Sequence, residues 1–122
     1  DHTPLEKDSK LLPFGESAPG ISGFETLLAL LLKLVENKEL DLVTAIRCVT
    51  QAPAEIIGCQ TGSLTPGSSA DLTIVDPEAI WTLDTKTMVS EGKNTPFAGW
   101  EFVGQVEQTF FQGRPVYRNN QV

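Results

Sequence analysis

Asp1 and His2 set an acid beside an imidazole, and residues 3–10 continue as a polar loop. A carboxylate and an imidazole can bind a metal or move protons. Further on, Ala18-Pro19-Gly20-Ile21-Ser22-Gly23 feeds a helical pattern that opens near Phe24. Backbone N–H groups at a helix start can hold an anion. Residues 1–25 therefore carry most of the candidate chemistry. The first residue is an acid with no initiator Met, so the chain is read as the tail of a longer one.

Elsewhere the inventory is sparse. His2 is the single His, and Cys48 and Cys59 are the two cysteines. They form neither a disulfide framework nor a CxxC pair. Two reduced thiols in a cytoplasmic protein is the expectation. A zinc site needs three or four converging ligands, so this chain is not expected to build one alone.

With 122 residues the chain holds one domain at most. Its 16 acids outnumber its 9 bases, for a net charge of -7. That argues against a nucleic-acid surface, where a basic face is required. The longest apolar stretch, from Leu27 to Val35, is interrupted by Lys33 and is too short to span a bilayer. Neither nucleic acid nor membrane is expected as a partner.

The elements that must position residues 1–25 follow in order. Pro4, Pro13, Pro19, Gly15 and Gly20 keep residues 1–23 as loop. Ser22-Gly23-Phe24-Glu25 fits a capping box, with Ser22 as N-cap and Glu25 reaching back. The spacing predicts a helix over residues 23–37, apolar on nearly every face and so buried on several sides. Asp41 caps a second helix over residues 42–50, and Val43, Ala45, Ile46 and Val49 form its apolar face. Pro53 fits the first position of a short third helix that Gly58 ends. Arg47 stands without a basic cluster, so this helix pair is read as packing rather than as a DNA reader.

Beyond Gly62 the pattern turns to strands. Residues 71–75 are β-rich and are expected to stop at Asp76-Pro77. Residues 80–83 form a second short candidate, and residues 84–99 read as irregular loop. Residues 105–111 and 115–117 make a plausible hairpin about Gln112-Gly113. Trp81 and Trp100 are read as packing. Asn94 and Thr95, before Pro96, are read as turn chemistry. Helices first and strands second suggest α+β, or the ends of two domains.

Four stretches resemble the dihydroorotases of bacteria, in the amidohydrolase superfamily. Asp1-His2-Thr3-Pro4-Leu5 and then Lys10 is similar to that family's Asp-x-Ala-Pro-His signature with its following Lys. Pro19-Gly20-Ile21-Ser22-Gly23-Phe24-Glu25-Thr26 resembles its Pro-Gly-Ile-x-Gly-x-Glu-Thr stretch. Gly62 through Asp76 resembles Gly-x-Leu-x-x-Gly-x-x-Ala-Asp-Leu-x-x-x-Asp. Lys93-Asn94-Thr95-Pro96-Phe97 resembles its Lys-Asn-Thr-Pro-Phe loop.

The resemblance covers essentially the whole chain and implies an α/β fold. Residues 1–61 would be the C-terminal end of a (β/α)8 metal-dependent hydrolase barrel. Residues 62–122 would be the C-terminal strands of a small β-sandwich. Catalytic groups at the C-terminal ends of barrel strands are the rule for that architecture.

The implied reaction interconverts N-carbamoyl-L-aspartate and dihydroorotate in pyrimidine biosynthesis, with one or two zinc ions. Asp1 would touch the metal and carry the proton. Pro19 and Gly20 would contact the substrate through their backbone. His2 is read as structural rather than as a ligand, and Lys10 as solvated. The remaining metal ligands would lie upstream.

One position departs from the family: the substrate-contacting His of the signature is Leu5 here. Relatives that have lost activity hold an aspartate transcarbamoylase assembly instead, and Leu5 adds weight to that alternative. A hydantoinase or allantoinase is the other alternative. Expected partners are thus a small-molecule substrate, the rest of the parent chain, an aspartate transcarbamoylase under the scaffold reading, and further copies of the protein.

Overall fold

Glycine and proline punctuation divides the chain much as its composition suggests, with helices before Gly58 and strands after Ala70. A computed structural model describes residues 2–119, so Asp1 and residues 120–122 lie outside the described part. Short 3₁₀ turns occupy Lys7–Lys10 and Phe24–Thr26. The helices are α1 (Leu27–Glu36), α2 (Leu42–Val49) and α3 (Gln51–Ile57). Strands β1 (Leu72–Thr82), β2 (Glu101–Phe111) and β3 (Arg114–Arg118) form one antiparallel sheet in the order β1-β2-β3.

The local signals at α2 act as read. Asp41 Oδ1 accepts from the Thr44 N–H at 3.0 Å, and the Thr44 hydroxyl donates to Asp41 Oδ2 at 2.6 Å. Those two donors hold the Asp41 carboxyl below the usual carboxylate range. Gly58 follows α3 as its C-terminal stop. Pro53 is the third residue of that helix and not the first. The first turn still tolerates it, because N–H groups there have no intrahelical acceptor. Arg47 pairs with Glu55 at 3.6 Å, an exposed contact worth about 0–1 kcal/mol.

Three expectations are corrected. The helix over residues 23–37 is a 3₁₀ turn followed by α1, and Ser22 does not cap it. Ser22 and Glu25 are instead drawn to a distant loop, described below. Asp76-Pro77 does not stop a strand, because β1 runs through it and the register against β2 shifts between Asp76 and Ile80. Proline cannot donate to a ladder, and a bulge on an edge strand needs no donor. Asp76 Oδ1 accepts from the Glu78 N–H at 2.9 Å, so the pair does make its turn, inside one strand. β2 also starts earlier than expected, at Glu101, because Phe102 is buried in the core.

The hairpin forms as predicted. Gln112 and Gly113 have φ of 49° and 77°, the signature of a two-residue type I′ turn.

Helical and stranded halves share one core. Ala29 of α1 packs with Leu83, Met88 and Phe102, flanked by Leu30, Trp81 and Phe97. Trp81 also donates its Nε1–H to the Gly104 carbonyl at 2.9 Å. Gly104, with φ 92°, is where α1 crosses the sheet, and a Cβ there would collide with Leu32. Trp100 packs edge-on against Phe97, with centroids 5.1 Å apart. Both tryptophans serve packing, as read.

This core is small for the chain. A folded monomer of 13.2 kDa is expected to expose about 6,400 Å². The accessible surface is 9054 Å². Leu11, Phe14, Val43, Ile56 and Ile57 all stand exposed. Each forgoes about 1.5–3 kcal/mol relative to full burial. Residues 1–122 as a separate polypeptide are therefore expected to self-associate. Light scattering across a dilution series checks this; a concentration-independent monomer with a cooperative melt contradicts it.

Candidate functional site

Three of the four motif segments converge on one side chain. Asn94 is 8% exposed, and its carboxamide faces two other loops. Its Oδ1 accepts from the Leu5 N–H at 2.7 Å, and its Nδ2 donates to the Thr3 carbonyl at 3.0 Å and to the Gly20 carbonyl at 3.3 Å. The Ser22 hydroxyl lies 2.5 Å from the Gly92 carbonyl and 2.8 Å from Asn94 Oδ1, one proton between two acceptors. The Ser22 N–H donates to the Asn94 carbonyl at 3.1 Å. Ser22 therefore joins loops rather than starting a helix. Asn94 is the residue that a turn reading misses.

The two site loops also meet directly. His2 and Ile21 form a parallel bridge, and the Thr3 N–H donates to the Ile21 carbonyl at 2.7 Å. Gly20 has φ 96°, and a Cβ there would lie 2.5 Å from the Thr3 Cβ. Only glycine gives both that backbone and that approach.

His2 occupies the capping role expected of Ser22. Its Nδ1 accepts from the Gly23 N–H at 3.2 Å and the Phe24 N–H at 3.4 Å. An accepting Nδ1 assigns the ring proton to Nε2. The ring stacks on Phe24, with centroids 4.0 Å apart and planes at 6°. Both Nδ1 and one ring face of His2 are thus engaged within the chain.

Lys10 is not simply solvated, because its ammonium donates to the Ala18 carbonyl and closes the base of the loop over residues 10–18. Lys93 donates to the Met88 and Ser90 carbonyls at 2.7 and 2.5 Å. These lysines clasp loops on the wall of an open cleft of about 370 Å³, lined also by Ile21, Asn94, Thr95 and Pro96. Thr95 does perform turn chemistry, its Oγ1 accepting from the Phe97 N–H at 3.3 Å.

Of the residues singled out for chemistry, Asp1 lies outside the described residues. Pro19, Gly20 and Leu5 fall in the two loops that Asn94 joins. Among the described residues no three His, Cys, Asp or Glu side chains converge as a metal site. With His2 Nδ1 engaged by two amides, the described donors do not make a zinc ligand set.

Backbone loops joined at Asn94 thus line an open cleft. Residues 16–116 match the profile of the amidohydrolase family, and the chain belongs to that family. It is 44% identical over 97% of its length to a dihydroorotase of Geobacter metallireducens, and 42% identical over 98% to one of Syntrophus aciditrophicus. The chain spans 28% of the length of each of these relatives. Among solved structures it is similar to a dihydropyrimidinase of Brevibacillus agri, with TM-score 0.89 and 26% identity over 99% of this chain and 28% of that one. A D-hydantoinase of a Thermus species gives TM-score 0.88 and 27% identity over the same shares. No helix among the described residues is long and apolar enough to cross a membrane.

Glu25 ties the margin to the rest of the chain. Its carboxylate accepts from the Val89 and Ser90 N–H groups at 2.9 and 3.0 Å. Partial burial pushes its carboxyl upward. Hydrogen bonds from Ser90 and Val89, with the nearby Lys93 ammonium, outweigh that and hold it below the ordinary carboxylate range. A carboxyl depressed on folding adds stability that is present above its unfolded pKa and lost as pH falls through the folded one. Acidification below the usual glutamate range is therefore expected to lower the melting temperature, and Glu25→Gln to lose part of that dependence. Melts of both proteins between about pH 7 and pH 3 check this; identical pH slopes contradict it.

Proposed function

We propose that the chain is the C-terminal part of a zinc-dependent dihydroorotase, interconverting N-carbamoyl-L-aspartate and dihydroorotate in pyrimidine biosynthesis. Residues 1–61 are assigned to the end of a (β/α)8 barrel and residues 62–122 to a small β-sandwich. The observation that carries this is the convergence at Asn94. The segments that follow Asp1, contain Pro19 and Gly20, and contain Lys93 are far apart in sequence, yet one carboxamide joins them. Identity of 44% to a dihydroorotase favours that substrate over the hydantoins of the structural neighbours.

The ring amide nitrogen is a poor leaving group and needs a proton as the C–N bond breaks. Asp1 is assigned to deliver it, and to take it back when the ring closes. The Gly20 N–H and the Pro19 carbonyl are assigned to hold the ring. Zinc, where bound, polarises a carbonyl and lowers the pKa of its water. Asp1 is the residue of this chain assigned to contact it, with the other ligands outside residues 1–122. The setting is assigned to the cytoplasm, with copies of the same protein as partners.

Leu5 favours a second reading. Its side chain offers no donor to a substrate carboxylate, which fits a catalytically weak protein that scaffolds an aspartate transcarbamoylase.

Two substitutions in the full-length, zinc-loaded protein separate these readings. Asp1→Asn is expected to preserve the fold and remove nearly all turnover of dihydroorotate; a wild-type rate would defeat the assignment of Asp1. Under the second reading wild-type turnover is expected to be low, and Leu5→His to raise kcat/KM by about tenfold, the equivalent of one net hydrogen bond of 1.4 kcal/mol. Robust wild-type turnover that Leu5→His leaves unchanged rules out the scaffold reading.

A further inference from the structure

We propose that Asn94 is a positioning residue of the reaction, holding the chain after Asp1 and the Pro19–Gly20 turn in fixed register. Its part in turnover rests on the dihydroorotase assignment, whereas the brace stands on geometry alone. Asn94 is assigned no contact with the reacting atoms and acts through backbone. Toward Asp1 it fixes the Thr3 carbonyl and the Leu5 N–H, two and four residues along. Toward the turn it fixes the Gly20 carbonyl, and its own carbonyl fixes the Ser22 N–H.

Asparagine is suited to this position. It has two donors and an oxygen with two lone pairs in one planar group. Each is used: Nδ2 on two carbonyls, Oδ1 on an amide and close to the Ser22 hydroxyl. Aspartate keeps the acceptor and loses both donors. Alanine loses everything. The pocket is tight, since a Cβ on neighbouring Gly92 would lie 2.5 Å from the Pro4 carbonyl carbon. Without the carboxamide, the Thr3–Ile21 bond, the His2 contacts and the ties of Ser9 and Lys10 to Ser17 and Ala18 still join the two loops, but none of them holds the Thr3 carbonyl, the Leu5 N–H or the Gly20 carbonyl.

The test uses the full-length protein with Asn94→Ala, Asn94→Asp and Ser22→Ala. Steady-state kinetics on dihydroorotate are paired with backbone hydrogen exchange. Asn94→Ala is expected to lower kcat/KM by about 10²-fold, as misplacement of reacting groups by about 1 Å can do. Exchange should quicken at residues 3–5 and 20–22 and stay unchanged in β2. Asn94→Asp retains only the Leu5 acceptor and releases both the Thr3 and the Gly20 carbonyls, so kcat and KM should both worsen.

A merely structural Asn94 gives another pattern: kcat falls with the folded fraction, KM holds, and β2 exchange quickens with the rest. That result overturns the proposal. If the Asn94 variants do not fold, Ser22→Ala decides. It keeps the carboxamide and removes one partner, and should show the same pattern more weakly; unchanged KM and exchange overturn the proposal. If the wild type turns over no dihydroorotate, the functional assignment fails separately. Exchange in the Asn94 variants then decides on the brace, and protection unchanged at residues 3–5 and 20–22 overturns it.

Discussion

A buried carboxamide is tolerable only when its polar atoms find partners, since each orphaned group costs about 1–3 kcal/mol. Asn94 meets that condition by gathering backbone from two other loops, and much of the molecule is arranged to let it. Gly20 must lack a side chain to lie against Thr3. Ser22 must turn its hydroxyl inward to the Gly92 carbonyl and Asn94. Glu25 and Lys93 must hold residues 88–93, so that Asn94 arrives at the right height. The sheet and α1 then support this loop from below, through Met88 and Phe97.

Charge is used sparingly in that arrangement. The carboxylate of Glu25 and the ammonium groups of Lys10 and Lys93 are each spent on backbone groups. Such bonds are charge-assisted and stronger than neutral ones. They fix loops that have no regular structure of their own, which is where fixing is needed beside a cleft. The margin is therefore built from main chain, with side chains as ties.

How much of this was legible in the sequence depends on the range of each signal. Asp41, Gly58 and the Gln112-Gly113 turn act on partners a few residues away, and their types announce them. Asp76-Pro77 announces a turn equally well, but stop and bulge share that local chemistry. Only pairing with β2, through Ile80 and Trp81, separates them. Ser22 and Glu25 fit a capping box by type and spacing, yet their partners lie 64 to 72 residues away and win. Asn94 before Thr95-Pro96 looks like any turn asparagine. Its one signal was membership in a motif that stands with others in order, which hints at convergence without saying through which atom.

The separation of those partners also bears on the order of events as the chain folds. The β2–β3 hairpin closes across two residues, and α2 meets α3 almost at once along the chain. The bonds of Asn94 close loops of 72 to 91 residues. Loop-closure entropy rises with length, and non-local pairings form slowly. The helices and the hairpin are thus expected to form early, and the two site loops to acquire their mutual register late. A folding chain is then expected to hold its scaffold while these two loops are still open. Ligand arriving in that interval would find loops that can still be pulled into place.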